Sequence, residues 1–242
     1  MLELYGIFYS PWSEKARWAL DYHRQIYHWH EYTPLVDSLQ LMWKAKKWRV
    51  SVPILITPWE VIEGSLNIVR YGEKHGRKEK LLPFSHEEEI LDIDALCDVA
   101  YRASRAIITA RVEDNSEAQK ALMPQFIPPS YHEFALPLAK VATLYLERKY
   151  SFGGVPLAQH KEVLRSVLQE LRQKVRKNKT IFESFTLADI SVALTLQFVS
   201  PVSDHFIPLS PPLREAFTQE DLAEEFSDLI SWRNFIYENY RR

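Results

Sequence analysis

Ser10 and Pro11 stand where an apolar segment, Leu2 to Tyr9, gives way to a helical pattern. Ser is a favoured N-cap and Pro a favoured first helical residue, so the pair opens a helix. A helix N-terminus also stabilises negative charge, thiolates included. The Ser10 hydroxyl therefore stands either as a cap or as a donor to an anion. Tyr9 adjoins the same turn and is the rival donor, whereas Tyr5 reads as mid-strand core. Ser13 reads as a second capping or solvent-facing hydroxyl. Ser65 caps another helical run, where its hydroxyl, the backbone N–H groups and the helix dipole favour a carboxylate. Val52-Pro53 sets a proline at the mouth of an apolar strand, which excludes a simple central ladder position.

Other residues able to do chemistry have plainer readings. His28 and His30 share one strand face and His23 lies nearby, but no carboxylate or Cys stands at matched spacing, so a metal is not expected. Cys97, the single cysteine, falls on a periodic apolar helix face and reads as a packed thiol. It forbids an internal disulfide and a multi-cysteine zinc site. Thr186 and Asp189 have the spacing of a capping box and read as folding residues. Lys44, Lys46, Lys47 and Arg49 with Trp43 and Trp48 form a short basic, aromatic patch. Arg172, Lys174, Arg176, Lys177 and Lys179 suit a solvated helix end.

The elements that position these groups follow two periods. Strand, helix, strand, helix, strand, strand, helix read across the first 75 or so residues: Leu2–Tyr9, Ser10 to His23, Ile26–Tyr32, Leu35–Lys47, Val52–Ile56, Trp59–Ile62 and Ser65 to Tyr71. A polar connector, Gly76 to Glu89, follows. Beyond it the pattern is helical: Ile90 to Arg111, Phe134 to Tyr145, Val163 to Val175, Ile190 to Phe198 and Leu229 to Ile236. Pro124, Pro128 and Pro129 separate the first two helices. Pro201, Pro208, Pro211 and Pro212 mark a long loop before the last.

Composition bounds the answer. The chain has 242 residues, 46% hydrophobic and 26% charged, so it is globular and neither collagenous nor disordered. Thirty basic against 32 acidic residues leave −2, no bulk electrostatic reason to hold nucleic acid or anionic lipid. The N-terminal residues lack the pattern of a signal peptide, and no apolar run approaches the ~20 residues of a membrane span. A soluble, cytoplasmic protein is expected.

Four segments together resemble the cytosolic glutathione transferase family along essentially the whole chain. They are Tyr9-Ser10-Pro11-Trp12-Ser13-Glu14-Lys15-Ala16-Arg17, Val52-Pro53-Ile54-Leu55, Ser65-Leu66-Asn67-Ile68-Val69-Arg70-Tyr71 and Phe185-Thr186-Leu187-Ala188-Asp189-Ile190. The first is similar to a thioredoxin-like active-site turn with serines where a redox enzyme has cysteines. The second is similar to a Val-Pro strand whose proline is cis. The resemblance implies an α/β thioredoxin-like domain at 1–76, a linker at 77–87 and an all-helical domain at 88–242.

It also implies roles. Ser10, or Tyr9 in its place, would stabilise the thiolate of glutathione, the co-substrate. Val52 and Pro53 would present backbone to its cysteinyl part, as in strand addition. Ser65 would take a carboxylate, and Trp12 would sit beside the thiol. Trp12, Tyr101 and Arg105 would border a second-substrate pocket, with core packing an equal reading of Tyr101. Two positions depart from the family pattern. Gly64 stands where an acidic residue or Gln binds the γ-glutamyl amine, with Glu63 one residue earlier. Ser51 stands where many members have Lys or Gln, leaving Lys47 or Arg49 to reach the glycyl carboxylate. The function implied is conjugation of glutathione to a small apolar electrophile, in detoxification, by a homodimer without metal. The competing reading, favoured by Gly64 and Ser51, is a non-catalytic protein of this fold that binds an apolar ligand or a protein partner. A thiol–disulfide oxidoreductase is disfavoured, because neither Ser10 nor Ser13 can form a mixed disulfide.

Overall fold

The computed structural model describes residues 1–34, 36–123, 127–131, 133, 154–175 and 179–241. The expected helix from Phe134 to Tyr145 lies outside the described residues, as do Leu35, Pro124, Arg176 and Lys177.

The N-terminal part is β1 (Leu2–Gly6), α1 (Pro11–Tyr22), β2 (Tyr27–Glu31), α2 (Ser38–Ala45), β3 (Ile54–Ile56), β4 (Val61–Glu63) and α3 (Ser65–His75). The four strands form one mixed sheet in the order β2-β1-β3-β4. β1 runs parallel to β2, with Leu2 opposite Tyr27, and antiparallel to β3, with Leu4 opposite Leu55. The β1–α1–β2 unit is thus a helical crossover between parallel strands. Side chains alternate along β1 and divide two small cores. Leu4 packs with Ala16, Leu20, Leu55 and Ile68 under α1 and α3, while Tyr5 packs with Leu41, Ala45, Val50 and Ile54 under α2. Gly6 is required where β1 meets α1: a Cβ there would lie 2.6 Å from the Trp29 ring and 2.9 Å from Ser13.

Residues 76–86 carry no helix or strand, and the remainder is helical: α4 (Glu87–Glu113), α5 (Ser116–Ala121), α6 (Leu157–Lys174), α7 (Leu187–Thr195), α8 (Pro211–Phe217), α9 (Glu220–Glu225) and α10 (Ser227–Tyr240), with 3-10 turns at Pro129–Tyr131 and Leu196–Phe198. The loop expected ahead of the last helix is interrupted. Ser210 and Pro211-Pro212 open α8 instead of breaking the chain, because proline is tolerated in a first turn that has no N–H partners anyway. α7 is buried throughout. The capping box at its start is formed: Asp189 accepts the Thr186 N–H at 2.8 Å and the Ile181 N–H at 2.8 Å. Burial raises the Asp189 carboxyl to about 6.

α1 lies between the sheet and the helices and is buried on both sides. Ala16 and Leu20 face the sheet, while Trp18 and Ala19 join the helical core. Charged groups fill this junction as well. Lys15, 1% exposed, is paired with Asp94 of α4, which also accepts the Ser191 hydroxyl at 2.5 Å. Arg241 reaches Glu14 at 2.6 Å and Asp21 at 2.7 Å, and the Trp18 indole donates to the Tyr240 carbonyl at 3.2 Å.

Candidate active site at the junction of sheet and helices

A cavity of about 960 Å³ opens between the N-terminal ends of α1 and α3, the start of β3 and the face of α4. That is the upper end of the range for ligand sites, room for more than one small molecule.

Ser10 is the N-cap residue of α1 with φ −77° and ψ 127°, and it lines the cavity. Its hydroxyl makes no capping bond. The turn is closed by backbone: the Ser10 N–H donates to the Ile7 carbonyl at 3.0 Å, and the Glu14 N–H donates to the Ser10 carbonyl at 2.8 Å. The plain reading of Ser10 as a side-chain cap is therefore not what the fold uses. Ser13 is corrected more sharply. It is fully buried and accepts the Ile7 N–H at 3.1 Å, so it ties α1 to the end of β1 and meets neither solvent nor a helix end.

Tyr9 also lines the cavity, its ring edge-on to Phe217 at 5.6 Å. Burial, and then the Glu31 carboxylate, push its phenol up to about 12. Tyr5 donates to Glu3 at 2.5 Å and accepts from Lys44 at 2.6 Å, remote from Ser10 in bonding.

Val52 and Pro53 form the opposite lip, and their peptide bond is cis. The Pro53 carbonyl accepts the Gly64 N–H at 3.1 Å, whereas the Val52 N–H and C=O have no backbone partner among the described residues. Gly64, at φ +83°, is the N-cap of α3. A side chain there meets no steric obstacle, so the backbone conformation alone favours glycine. Ser65, expected as the cap, is instead the first helical residue, buried and on the cavity wall. Among the described residues no side chain caps α3, and its start at Gly64 and Ser65 lies on the cavity wall.

Trp12 stands between the two halves. Its indole donates to Asp98 at 2.5 Å, and the Arg105 guanidinium lies over its ring at 4.0 Å. Asp98 also accepts from Arg102 at 2.7 Å. Cavity-facing residues recur along α4 at Asp98, Arg102, Arg105, Thr109 and Val112, a single helical stripe.

Several expected residues stand elsewhere. Tyr101 is fully buried behind Trp12, edge-on at 5.4 Å, with its hydroxyl on the Ser191 carbonyl at 2.7 Å. It is core, and not part of the cavity wall. Lys47 and Arg49 are exposed and do not line the cavity. Lys47 is paired with Glu63, which does line it. Asp98 was not singled out from sequence. Its four-residue spacing to Arg102 was legible, but its bond to Trp12 joins residues far apart in the chain. Among the described residues no three His, Cys, Asp or Glu side chains gather as a metal site would require.

Comparisons with known proteins bear on the fold that carries this cavity. The family described as glutathione S-transferase, N-terminal domain, matches residues 4–79. A glutathione S-transferase from Methylobacillus flagellatus, solved with GSH bound, is 17% identical at a TM-score of 0.61, over 100% of this chain and 96% of that one. A glutathione transferase family member from Pseudomonas fluorescens, with bound glutathione, is 18% identical at 0.63, over 99% and 95%. A glutathione S-transferase from Ceriporiopsis subvermispora, in complex with glutathione, is 15% identical at 0.63, over 100% and 98%. No curated protein matches. At these identities the solved structures speak for the fold, a thioredoxin-like domain followed by a helical one. Residues 4–79 thus match the N-terminal domain of glutathione S-transferases, and the chain as a whole has the fold of the glutathione transferases it is similar to.

Proposed function

We propose that the protein is a glutathione transferase that joins the thiolate of glutathione to an electrophilic carbon of a small, largely apolar substrate. The observation that carries this reading is Ser10, a cavity-facing N-cap whose hydroxyl is not spent on its own helix. A thiol near pKa 8.5 is mostly protonated at neutral pH, and each unit of depression corresponds to about 1.4 kcal/mol. A hydroxyl donor plus a helix end supplies about that much. The open backbone of Val52 suits the extended cysteinyl part, and the uncapped start of α3 suits a carboxylate. The thiol proton leaves to solvent, the sulfur pair forms the new C–S bond, and a leaving group departs with the former bonding pair. The glutathione-bound relatives support glutathione as the ligand. The test is thioether formation with a chlorinated aromatic electrophile, followed against pH, for the parent and Ser10→Ala.

A second reading rests on Gly64 and on the Lys47–Glu63 pair. The position before Ser65 has no side chain for an amine, and the nearest carboxylate already holds an ammonium. That favours a non-catalytic protein that keeps the fold to carry an apolar ligand. Retention on immobilised glutathione without thioether formation would favour it. Turnover excludes it.

A further inference from the structure

Ser10 makes no side-chain cap to its own helix, so the backbone decides where its hydroxyl stands. Ile7 to Ser10 form the turn between β1 and α1, closed by the Ser10 N–H donating to the Ile7 carbonyl at 3.0 Å. Peptide units are rigid planes. A unit whose N–H and C=O both have partners cannot rotate without losing both bonds. Two consecutive units at this turn are held in that way. In the Gly6–Ile7 unit the carbonyl accepts the Tyr32 N–H at 2.8 Å, and the N–H donates to the buried Ser13 hydroxyl at 3.1 Å. In the Ile7–Phe8 unit the carbonyl holds the Ser10 N–H, and the N–H donates to the Glu31 carboxylate at 3.1 Å.

Glu31 ends β2, yet only one peptide unit separates its carboxylate from the Ser10 N–H. Its second oxygen accepts the Trp29 indole N–H at 3.1 Å, and the Arg17 guanidinium lies over the Trp29 ring at 4.7 Å. A charged acceptor makes the stronger kind of hydrogen bond, and bonds joined through one peptide polarise each other. Glu31 is exposed and belongs to neither small core of the N-terminal part, so its replacement opens no cavity. It is also an anion close enough to raise the Tyr9 phenol. A negative charge acting alone there opposes a thiolate. The charge of Glu31 and its bond to the turn therefore predict opposite effects on a bound thiol.

We propose that Glu31 is a positioning residue, which fixes Ser10 through the Ile7–Phe8 peptide and so aims its hydroxyl into the cavity. The inference rests on the reading of Ser10 as donor to the glutathione thiolate. Glu31 itself touches neither thiol nor electrophile.

The test compares the parent, Glu31→Ala and Glu31→Gln, each with and without Ser10→Ala. Ultraviolet absorbance of the bound thiolate against pH reads the thiol directly, and conjugation of a chlorinated aromatic electrophile gives kcat and KM. Glu31→Ala should lower kcat about tenfold, the lower end for one lost bond to a charged group, and move the thiol titration upward. Glutathione affinity and melting should hold. Glu31→Gln keeps a carbonyl oxygen for the Phe8 N–H and should keep the parental rate, with a titration no higher than the parent's. In the Ser10→Ala background, Glu31→Ala should change neither kcat nor titration further, because no hydroxyl is left to aim. A parental or downward titration in Glu31→Ala would overturn the proposal, as would equal losses in the Ala and Gln variants or a full loss without Ser10. If Ser10→Ala by itself leaves the thiol titration unmoved, the reading of Ser10 fails and the proposal falls with it. A shift for Ser10→Ala with none for Glu31→Ala sinks the proposal alone.

Discussion

The Lys47 ammonium is paired with the Glu63 carboxylate, and Glu63 is the partner that lines the cavity. The two residues that sequence reasoning sends to opposite ends of glutathione hold each other instead. Glu63 can meet an amine in the cavity only in competition with Lys47, and Lys47 is tied at the rim.

Glutathione affinity should therefore respond unequally to the two. Lys47→Ala should change it no more than about fivefold, the ceiling for an exposed ion pair. Glu63→Ala should weaken it about ten- to a hundredfold, as expected for a charge-assisted bond to an amine. Calorimetric titration of both variants decides the matter, and a larger loss for Lys47→Ala would restore Lys47 as a carboxylate ligand.

Ser10→Ala removes a donor and no helix cap, since the hydroxyl caps nothing. The rate of conjugation should fall about ten- to a hundredfold, the equivalent of roughly 1.5–3 kcal/mol. The pH profile should move upward while glutathione affinity holds. Full activity with an unchanged profile would pass the role to Tyr9, whose neutral phenol remains a donor.

Lys15 and Asp94 lock the active-site helix to α4 through a buried ion pair. Lys15→Met leaves a buried carboxylate without its cation and should cost about 3–5 kcal/mol. Adding Asp94→Asn should recover part of that loss, because it removes the stranded charge. Denaturant unfolding of the two single variants and the double measures the coupling, and strictly additive losses would contradict it.

Asp189→Ala strands the N–H groups of Ile181 and Thr186 at the start of a fully buried helix. A cost of about 2–4 kcal/mol is expected, a fall of roughly 4–16 °C in melting temperature. Scanning calorimetry checks it.

His23 is 2% exposed with no hydrogen-bond partner for either ring nitrogen among the described residues, and burial, then Lys78, lower its pKa below 6.5. The unfolded chain then binds a proton that the folded one refuses, so stability is lost as pH falls below about 6.5. His23→Gln should flatten the pH dependence of melting between about 6.5 and 5, relative to the parent. An identical slope in both proteins would show that His23 contributes nothing.

The sequence by itself determined what short-range rules govern. Ser10-Pro11 announced α1 because a hydroxyl residue and a fixed φ are both suited to a helix start. Periodicity announced α4, and Thr186 with Asp189 announced the capping box, because each pattern closes within a few residues. The order of strands and helices in the first 75 or so residues was legible for the same reason. What α1 and α4 do to one another was not. Trp12 meets Asp98 and Lys15 meets Asp94 across more than 75 residues of chain, and no local pattern encodes that register. Tyr101 stood open between pocket and core on its helix, and packing turned its ring inward behind Trp12. Lys47 carried the right charge for a carboxylate, yet the fold brought Glu63 to it first. Residue type and spacing state which chemistry a side chain can do. Only the packing of distant elements decides which partner reaches it.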